Sequence, residues 1–277
     1  MTQRIINQIK DLYTNKYLSC KAISKILLIS EKRIAKLLKE ENLIRKPGKN
    51  YKYQCNEKFF SNIDTEVKAY WLGVLFADGN ISKNNCGTGQ IFLTSKDKDW
   101  LETFLKDINS TGVLYKEIHK KYNKPIWKVH ITSDKLYTDL CNLGCIPKKS
   151  LIIQFPNISL KLIPHFIRGY FDGDGTIGVY HYIKESNCVT LKSSICSGSE
   201  KFLEELAKYL PTKMKKLHFY SGVFQIRFSV KDTISFCNYI YNNSTRFLLR
   251  KKKIIDNYLK ERRSTTIIVT PNNRMKE

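Results

Sequence analysis

No stretch of this chain approaches the roughly 18 consecutive apolar residues of a membrane-spanning helix. Yet 42% of its 277 residues are hydrophobic, an ordinary share for a protein with a sizeable core. The first residues, MTQRIINQIKDLY, lack the apolar run and small-residue cleavage site of a secretory signal. The expected setting is therefore intracellular: the cytoplasm of a bacterium or phage host, or an organelle matrix. The eight cysteines, at 20, 55, 86, 141, 145, 188, 196 and 237, contain no CxxC pair, and the five histidines do not bracket them. That argues against a zinc site, and a disulfide framework is not expected in a chain this long without a signal. Acidic residues are also few, 25 against 48 Lys+Arg, leaving a net charge of +23. Such a field suits a polyanion, nucleic acid foremost. A membrane surface usually requires a basic amphipathic helix or a lipidation signal, and neither is evident. Arginine is scarce, ten of the 48; with abundant Ile, Asn and Tyr this points to an AT-rich gene, so part of the lysine excess is codon bias.

Residues 1–46 read as a separate helical unit. Ile5, Ile6, Ile9 and Leu12 fall at helical spacing, as do Ala22, Ile23 and Ile26, and then Ile34, Leu37 and Leu38. The break Leu28-Ile29-Ser30 separates the last two helices, with Ser30 placed to cap the second. A short helix, a tight turn and a basic helix resemble the helix-turn-helix DNA-binding motif. In that reading Glu31, Lys32, Arg33 and Lys36 lie on the exposed face of the recognition helix; an ordinary helical hairpin with a solvated basic face is the alternative. Residues 47–61, basic and opening on Pro47-Gly48, read as a linker.

From about residue 62 the chain repeats itself. WLGVLFADG at 71–79 and IRGYFDGDG at 167–175 share a glycine in third place, a small residue in seventh, an aspartate in eighth and a glycine last. The surrounding patterns read helix-strand-strand-helix-strand-strand-helix twice, at 62–152 and 153–262. Asp64 is placed to cap the first helix, Pro164 opens its counterpart, a basic helix over 247–262 closes the second copy, and 263–277 reads as a frayed tail. Gly73 and Ala77 are four apart, as are Gly169 and Gly173, so each pair lies on one helix face and lets two helices approach closely. Packed so, the helices would bring Asp78 and Asp174 together at their C-termini, where the helix dipole already disfavours negative charge. A cation bound between them would relieve this, and Mg²⁺, which takes oxygen ligands and bridges to phosphate, suits phosphodiester hydrolysis. A calcium loop does not fit, because its sixth and twelfth positions fall on Ile177 and Ile183 counted from Asp172, or on Lys83 and Gly89 counted from Asp78, where Gly and Glu are required.

The two motifs, their spacing and the αββαββα order resemble those of single-chain LAGLIDADG homing endonucleases over residues 62–262. The resemblance implies an α+β fold, with two pseudo-symmetric αββαββα repeats forming a β-saddle, preceded here by a small all-α helix-turn-helix domain. It implies a monomeric, Mg²⁺-dependent enzyme that cuts double-stranded DNA with a stagger at a long asymmetric site. Two or more Mg²⁺ ions would be shared between Asp78 and Asp174, with Gly79 and Gly175 grouped in the same metal site. The saddle strands would read the major groove, with Gln90, Lys116, Lys128, His130, Lys184, Lys192 and Arg227 as contacts, one face of each strand being available. IPKKS at 146–150 resembles the family's basic segment after the first repeat, making Lys149 a catalytic candidate, and LLRKKKII at 248–255 makes Lys251 or Lys252 its counterpart. Phe76 departs from the acid often found in the sixth place, which Asp172 keeps. Relatives that have lost cleavage act as RNA maturases on introns or as transcription regulators; the eighth-place acids are present here, and an intein is disfavoured by the lack of splice-junction residues at the ends.

Overall fold

The computed structural model describes residues 2–14, 16, 18–43, 53–119, 123–182, 188–212 and 216–267. They divide into two compact units, Met1–Asn50 and Tyr51–Glu277. No helix among them is long and apolar enough to cross a membrane.

In the first unit α1 (Gln3–Thr14), α2 (Cys20–Leu27) and α3 (Glu31–Glu40) pack around Ile9, Tyr13, Ile23, Ile34 and Leu38. Ser19 caps α2, its hydroxyl accepting from the Ala22 amide at 3.1 Å. Leu28 ends that helix in the left-handed region at φ 55°, and its side chain is 92% exposed. Ser30 begins α3 as expected but makes no side-chain cap bond. Ile26, placed with the core by its spacing, is 55% exposed instead.

The second unit begins with residues read above as linker. From 53 onward they belong to the folded body: Phe59 and Phe60 are buried in its core, ring against ring at 4.9 Å. The Asn56 amide donates to the Ile108 carbonyl at 2.8 Å, and Glu57 accepts from the Ser133 hydroxyl at 2.7 Å. The polar composition of this segment hid its role, because those polar atoms bond to the neighbouring repeat rather than to water.

The first repeat runs α4 (Glu66–Ala77), β1 (Asn80–Lys83), β2 (Gly89–Ser95), α5 (Lys98–Asp107), β3 (Tyr115–His119), β4 (Lys124–Thr132) and α6 (Asp134–Asn142). The second runs α7 (Ile163–Asp174), β5 (Gly175–Tyr182), β6 (Cys188–Ser197), α8 (Glu200–Lys208), β7 (Leu217–Tyr220), β8 (Val223–Phe228) and α9 (Val230–Tyr241), followed by α10 (Leu249–Ile267). Each repeat forms one four-stranded antiparallel sheet, ordered β1-β2-β4-β3 and β5-β6-β8-β7, so the two copies share a topology. The β7–β8 hairpin turns on Ser221 and Gly222, both at positive φ (52° and 81°), the two-residue turn whose twist matches paired strands.

Capping follows local chemistry with one shift of register. Thr65, not Asp64, caps α4, accepting from the Lys68 amide at 3.4 Å, while Asp64 pairs with the Lys68 ammonium at 2.9 Å. Ser133, Ser199 and Ser229 cap α6, α8 and α9 in the same way. The helix α10 continues through Ile267, past the expected start of a frayed tail at 263.

α4 is buried on every side from Ala69 to Phe76, the pattern of a helix enclosed by core rather than lying on it. Its close partner is α7. A Cβ added to Gly73 would run into the Phe166 carbonyl and come within 2.8 Å of the Tyr170 amide nitrogen. One added to Gly169 would run into the Tyr70 carbonyl and come within 2.9 Å of the Val74 nitrogen. The two contacts are reciprocal: each glycine lets the other helix's backbone in. Below them, Gly173 sits against the Ala77 methyl group.

Candidate active site

The backbone approach along Gly73 and Gly169 carries α4 and α7 together to their C-termini, where Asp78 is the last cap of one and Asp174 the last residue of the other. Gly173 leaves room for the Asp78 carboxylate, which lies 3.1 Å from where a Cβ would stand. The electrostatics record the meeting. Burial pushes the Asp174 carboxyl up to about 6, and the neighbouring Asp78 charge pushes it the same way. Asp78 remains exposed at its surface, yet enough protein surrounds it to raise its carboxyl as well, while Lys251, Lys149 and Arg250 pull it down.

Two buried lysines complete the arrangement. Lys149, in a short 3₁₀ turn (Lys149–Leu151), donates its ammonium to the Gly79 carbonyl. Lys251, in the first turn of α10, donates to the carbonyls of Phe171 (2.6 Å), Gly173 (3.3 Å) and Gly175. Each of the paired helices thus ends on one acid and one ammonium, and the cation offsets the negative end of the dipole that makes the acid awkward there. The carbonyls of Gly79 and Gly175, grouped with the metal on resemblance, are here lysine acceptors. Burial lowers the Lys251 ammonium to about 8. Lys252, the other candidate, points away, pairing with Asp256 at 2.7 Å on the solvent side of α10. Consecutive lysines on a helix face different ways, so packing decides between them.

Beyond the two acids and lysines, the fold gives further residues of this neighbourhood their partners, Asp172 of the second motif among them. Asp172 accepts from the hydroxyls of Tyr70 (2.8 Å) and Tyr241 (2.9 Å) and from the Leu248 amide (2.7 Å). Burial pushes its carboxyl up to about 6 against the pull of those donors. Arg168, fully buried, donates to Glu66 at 2.6 Å and to the carbonyls of Ile240 and Arg246, both at 2.7 Å. Arg246 in turn grips Asp107 with two bonds of 2.7 and 2.8 Å. Their spacing is long-range, so only the fold brings them together. Phe76, at the motif position that Asp172 holds in the second repeat, packs edge-on against Phe166 at 5.1 Å.

Comparison with known proteins bears on this arrangement. The family model described as a LAGLIDADG-like domain matches residues 65–142. That segment, the first repeat, is thus similar to a LAGLIDADG-like domain. The homing endonuclease I-WcaI, solved bound to its DNA recognition sequence, is 15% identical; the match covers 78% of this chain and 97% of that one, with a TM-score of 0.50. The LAGLIDADG meganuclease I-AabMI, bound to uncleaved DNA, is 14% identical over 71% of this chain and 90% of its own, with a TM-score of 0.49. An uncharacterized protein of Methanocaldococcus jannaschii is 28% identical over 184 residues, 62% of this chain and 66% of that protein, just under two thirds of its length. At 15% identity the likeness to I-WcaI speaks to the fold alone, and the fold resembles that of this LAGLIDADG homing endonuclease.

In both repeats, alternation decides which strand residues turn away from the helices. In β2, Ile91 and Leu93 are buried while Gln90, Phe92 and Thr94 point outward. Register pairs Gln90 with Thr132, Phe92 with His130 and Thr94 with Lys128, so Gln90, Lys128 and His130 share the outer face. The His130 ring stacks on Phe92 at 4.5 Å, and its imidazole is lowered first by burial and then by Lys128. Lys116 does not belong with them. It pairs with Trp127, on the side of the sheet that buries Val129 and Ile131, and its ammonium sits 5.9 Å over the Trp127 ring. The sequence could not show this, because a one-residue change of register exchanges the faces. In the second sheet Leu191, Ser193 and Ile195 are buried, placing Lys192 outward, and Arg227 follows through its pairing with Ser194. Lys192 and Arg227 lie over the rings of Tyr180 and Tyr220, at 5.8 and 5.6 Å, aromatic partners that the sequence had not singled out. Lys184 lies outside the described residues. In the first unit Lys32, Arg33 and Lys36 are all exposed on α3.

Proposed function

We propose that this chain is a site-specific, divalent-metal-dependent endonuclease that cuts both strands of a long, asymmetric DNA duplex with a stagger. The observation that carries the reading is the meeting of Asp78 and Asp174 at the ends of two helices held backbone to backbone, each beside a buried lysine.

The donor set fits Mg²⁺. Two carboxylates, each raised by its surroundings, are hard oxygen ligands whose charge a cation would compensate. The described residues contain no group of three or more His, Cys, Asp or Glu able to hold a metal. Asp78 and Asp174 would therefore bind it with water and phosphate oxygens as the remaining ligands, the usual manner for Mg²⁺. When bound, the ion polarises a phosphate and lowers the pKa of its water. The chain does the rest. Lys149 and Lys251, both buried, bring positive charge to where negative charge develops on the phosphate. Gln90, Lys128 and His130 in one sheet, with Lys192 and Arg227 in the other, would present their outer faces to the bases and backbone. Lys32, Arg33 and Lys36 on α3 would add phosphate contacts beyond the cut, raising affinity and its salt dependence. Because one chain supplies both acids, a monomer suffices.

Purified protein, Mg²⁺ and a library of duplex sites test this, with cleavage products sequenced at both ends. Asp78→Asn and Asp174→Asn should each slow cutting by about 100-fold or more. Cutting at the wild-type rate in either variant would overturn the metal assignment. Tight, metal-independent binding of DNA or intron RNA with no cleavage of any duplex would replace the endonuclease with a regulator or maturase.

A further inference from the structure

Asp172 has no place in the metal reading, yet it is 1% exposed and accepts three hydrogen bonds from three different parts of the chain. Tyr70 comes from α4, Tyr241 from α9, and the Leu248 amide from the residue just before α10. Trp100 of α5 donates to the Tyr70 hydroxyl at 2.7 Å, extending the linkage into the first repeat. A carboxylate at the first amide of a helix is favoured by that helix's dipole, so Asp172 serves α10 as a cap supplied from another helix.

What α10 carries is Lys251. Its amide bonds to the Leu248 carbonyl at 3.0 Å, so the residue held by Asp172 begins the very turn that presents the lysine. From there the ammonium reaches three carbonyls at the end of α7. Either side of the anchor, Arg246 bonds Asp107 and Arg250 bonds Asp97 at 2.9 Å, tying the same segment to both ends of α5. The first half of the molecule is built differently. There Phe76 takes the corresponding place among Phe166 and Phe202, and Lys149 stands on a short turn with no acidic residue in its first turn and no side-chain cap bond.

We propose that Asp172 is a positioning residue for the second half-site alone: it fixes the start of α10, and through it the Lys251 ammonium beside Asp174. Its consequence for cutting, that one strand depends on Asp172 and the other does not, rests on the endonuclease reading; the positioning itself does not.

The experiment has two readouts on the full chain carrying Asp172→Asn, whose amide nitrogen cannot accept the bonds that the carboxylate oxygen accepts. The first is acetylation of the folded protein with acetic anhydride, each lysine followed by mass spectrometry. Lys251 should label about tenfold faster than in wild type while Lys149 does not change, the scale of losing one hydrogen bond to a charged group. The second is single-turnover cleavage of a duplex labelled separately on each strand, where one strand should slow about tenfold more than the other. Tyr241→Phe, which removes a single donor and keeps the ring, should move both readouts the same way by about threefold and replaces Asp172→Asn should that variant not fold. Unchanged labelling of Lys251 overturns the proposal, and so does equal slowing of both strands. A wild-type protein that cuts nothing would remove the endonuclease reading instead, leaving the labelling to decide the positioning role.

Discussion

Replacing Gly169 by alanine tests the helix pair on which everything else depends. The new methyl group would stand 2.9 Å from both the Tyr70 carbonyl carbon and the Val74 nitrogen, and nearer still to the Tyr70 oxygen. Carbon contacts are comfortable only from about 3.5 Å, so the shortfall is at least about 0.6 Å. All three atoms are backbone of an enclosed helix, which cannot rotate aside as a side chain could. α4 and α7 must part, opening the core around Phe166, Tyr70 and Val74. Overpacking of this kind costs about 1–3 kcal/mol, and contact with backbone places it at the top of that range. Alanine returns about 1 kcal/mol through its better helix propensity, leaving a net loss of about 2 kcal/mol. For a body of this size that is a fall in Tm of about 4–8 °C, measurable by calorimetry. A Gly169→Ala protein that melts at or above the wild-type temperature would refute the close-approach argument.

Gly173→Ala should separate chemistry from stability. Its methyl group would run into the Ala77 methyl carbon and come within 3.1 Å of the Asp78 carboxylate, whereas that of Gly169→Ala meets three backbone atoms, so Tm should fall, though less than for Gly169→Ala. Cleavage should nonetheless drop by about tenfold or more, because a small displacement of a reacting group is costly. Lys251→Met should abolish most cutting, whereas Lys252→Ala, which loses a pair with Asp256 and a contact 5.4 Å over the Phe247 ring, should cut normally and lose no more than about 1 kcal/mol of stability. The raised acids fix the sign of a pH effect. An acid whose carboxyl titrates near 6 when folded, against a lower value unfolded, contributes stability fully present below the unfolded pKa and lost as pH rises through about 6. The metal-free wild-type Tm should therefore fall between pH 5 and pH 7.5 more than that of Asp174→Asn, and Mg²⁺ should restore it at the higher pH only. Equal falls in the two proteins would show that Asp174 is not the acid concerned.

Some of this architecture was legible residue by residue. Two nine-residue stretches that agree in their glycines and in the acid near their ends announce a duplicated helix, since each copy alone reads as an ordinary core segment. Small residues four apart imply close packing wherever the helix lies, because the spacing of a helix face is a local property. The alternation in GQIFLTS likewise separated Gln90 from Ile91 without knowledge of its neighbours. Other features depend on partners far away in the chain. Lys116 was assigned to the reading face and stands on the other, because its register against Trp127 is set by the sheet. Phe59 and Phe60, inside a stretch that looked like a linker, found a core that only the folded repeat provides.

The sequence by itself determined the duplicated α+β order, the acids at 78 and 174 and the glycines that let them meet, because helix and strand periodicities are written over a few residues. Tertiary structure decided that Lys251 rather than Lys252 faces the site, that Asp172 holds the start of α10, and that Gly79 and Gly175 offer their carbonyls to lysines. Those outcomes join groups some 70 or more positions apart, as Lys149 and Gly79 are. No local pattern encodes them, since only the packing of finished elements determines which polar groups end up within reach of one another.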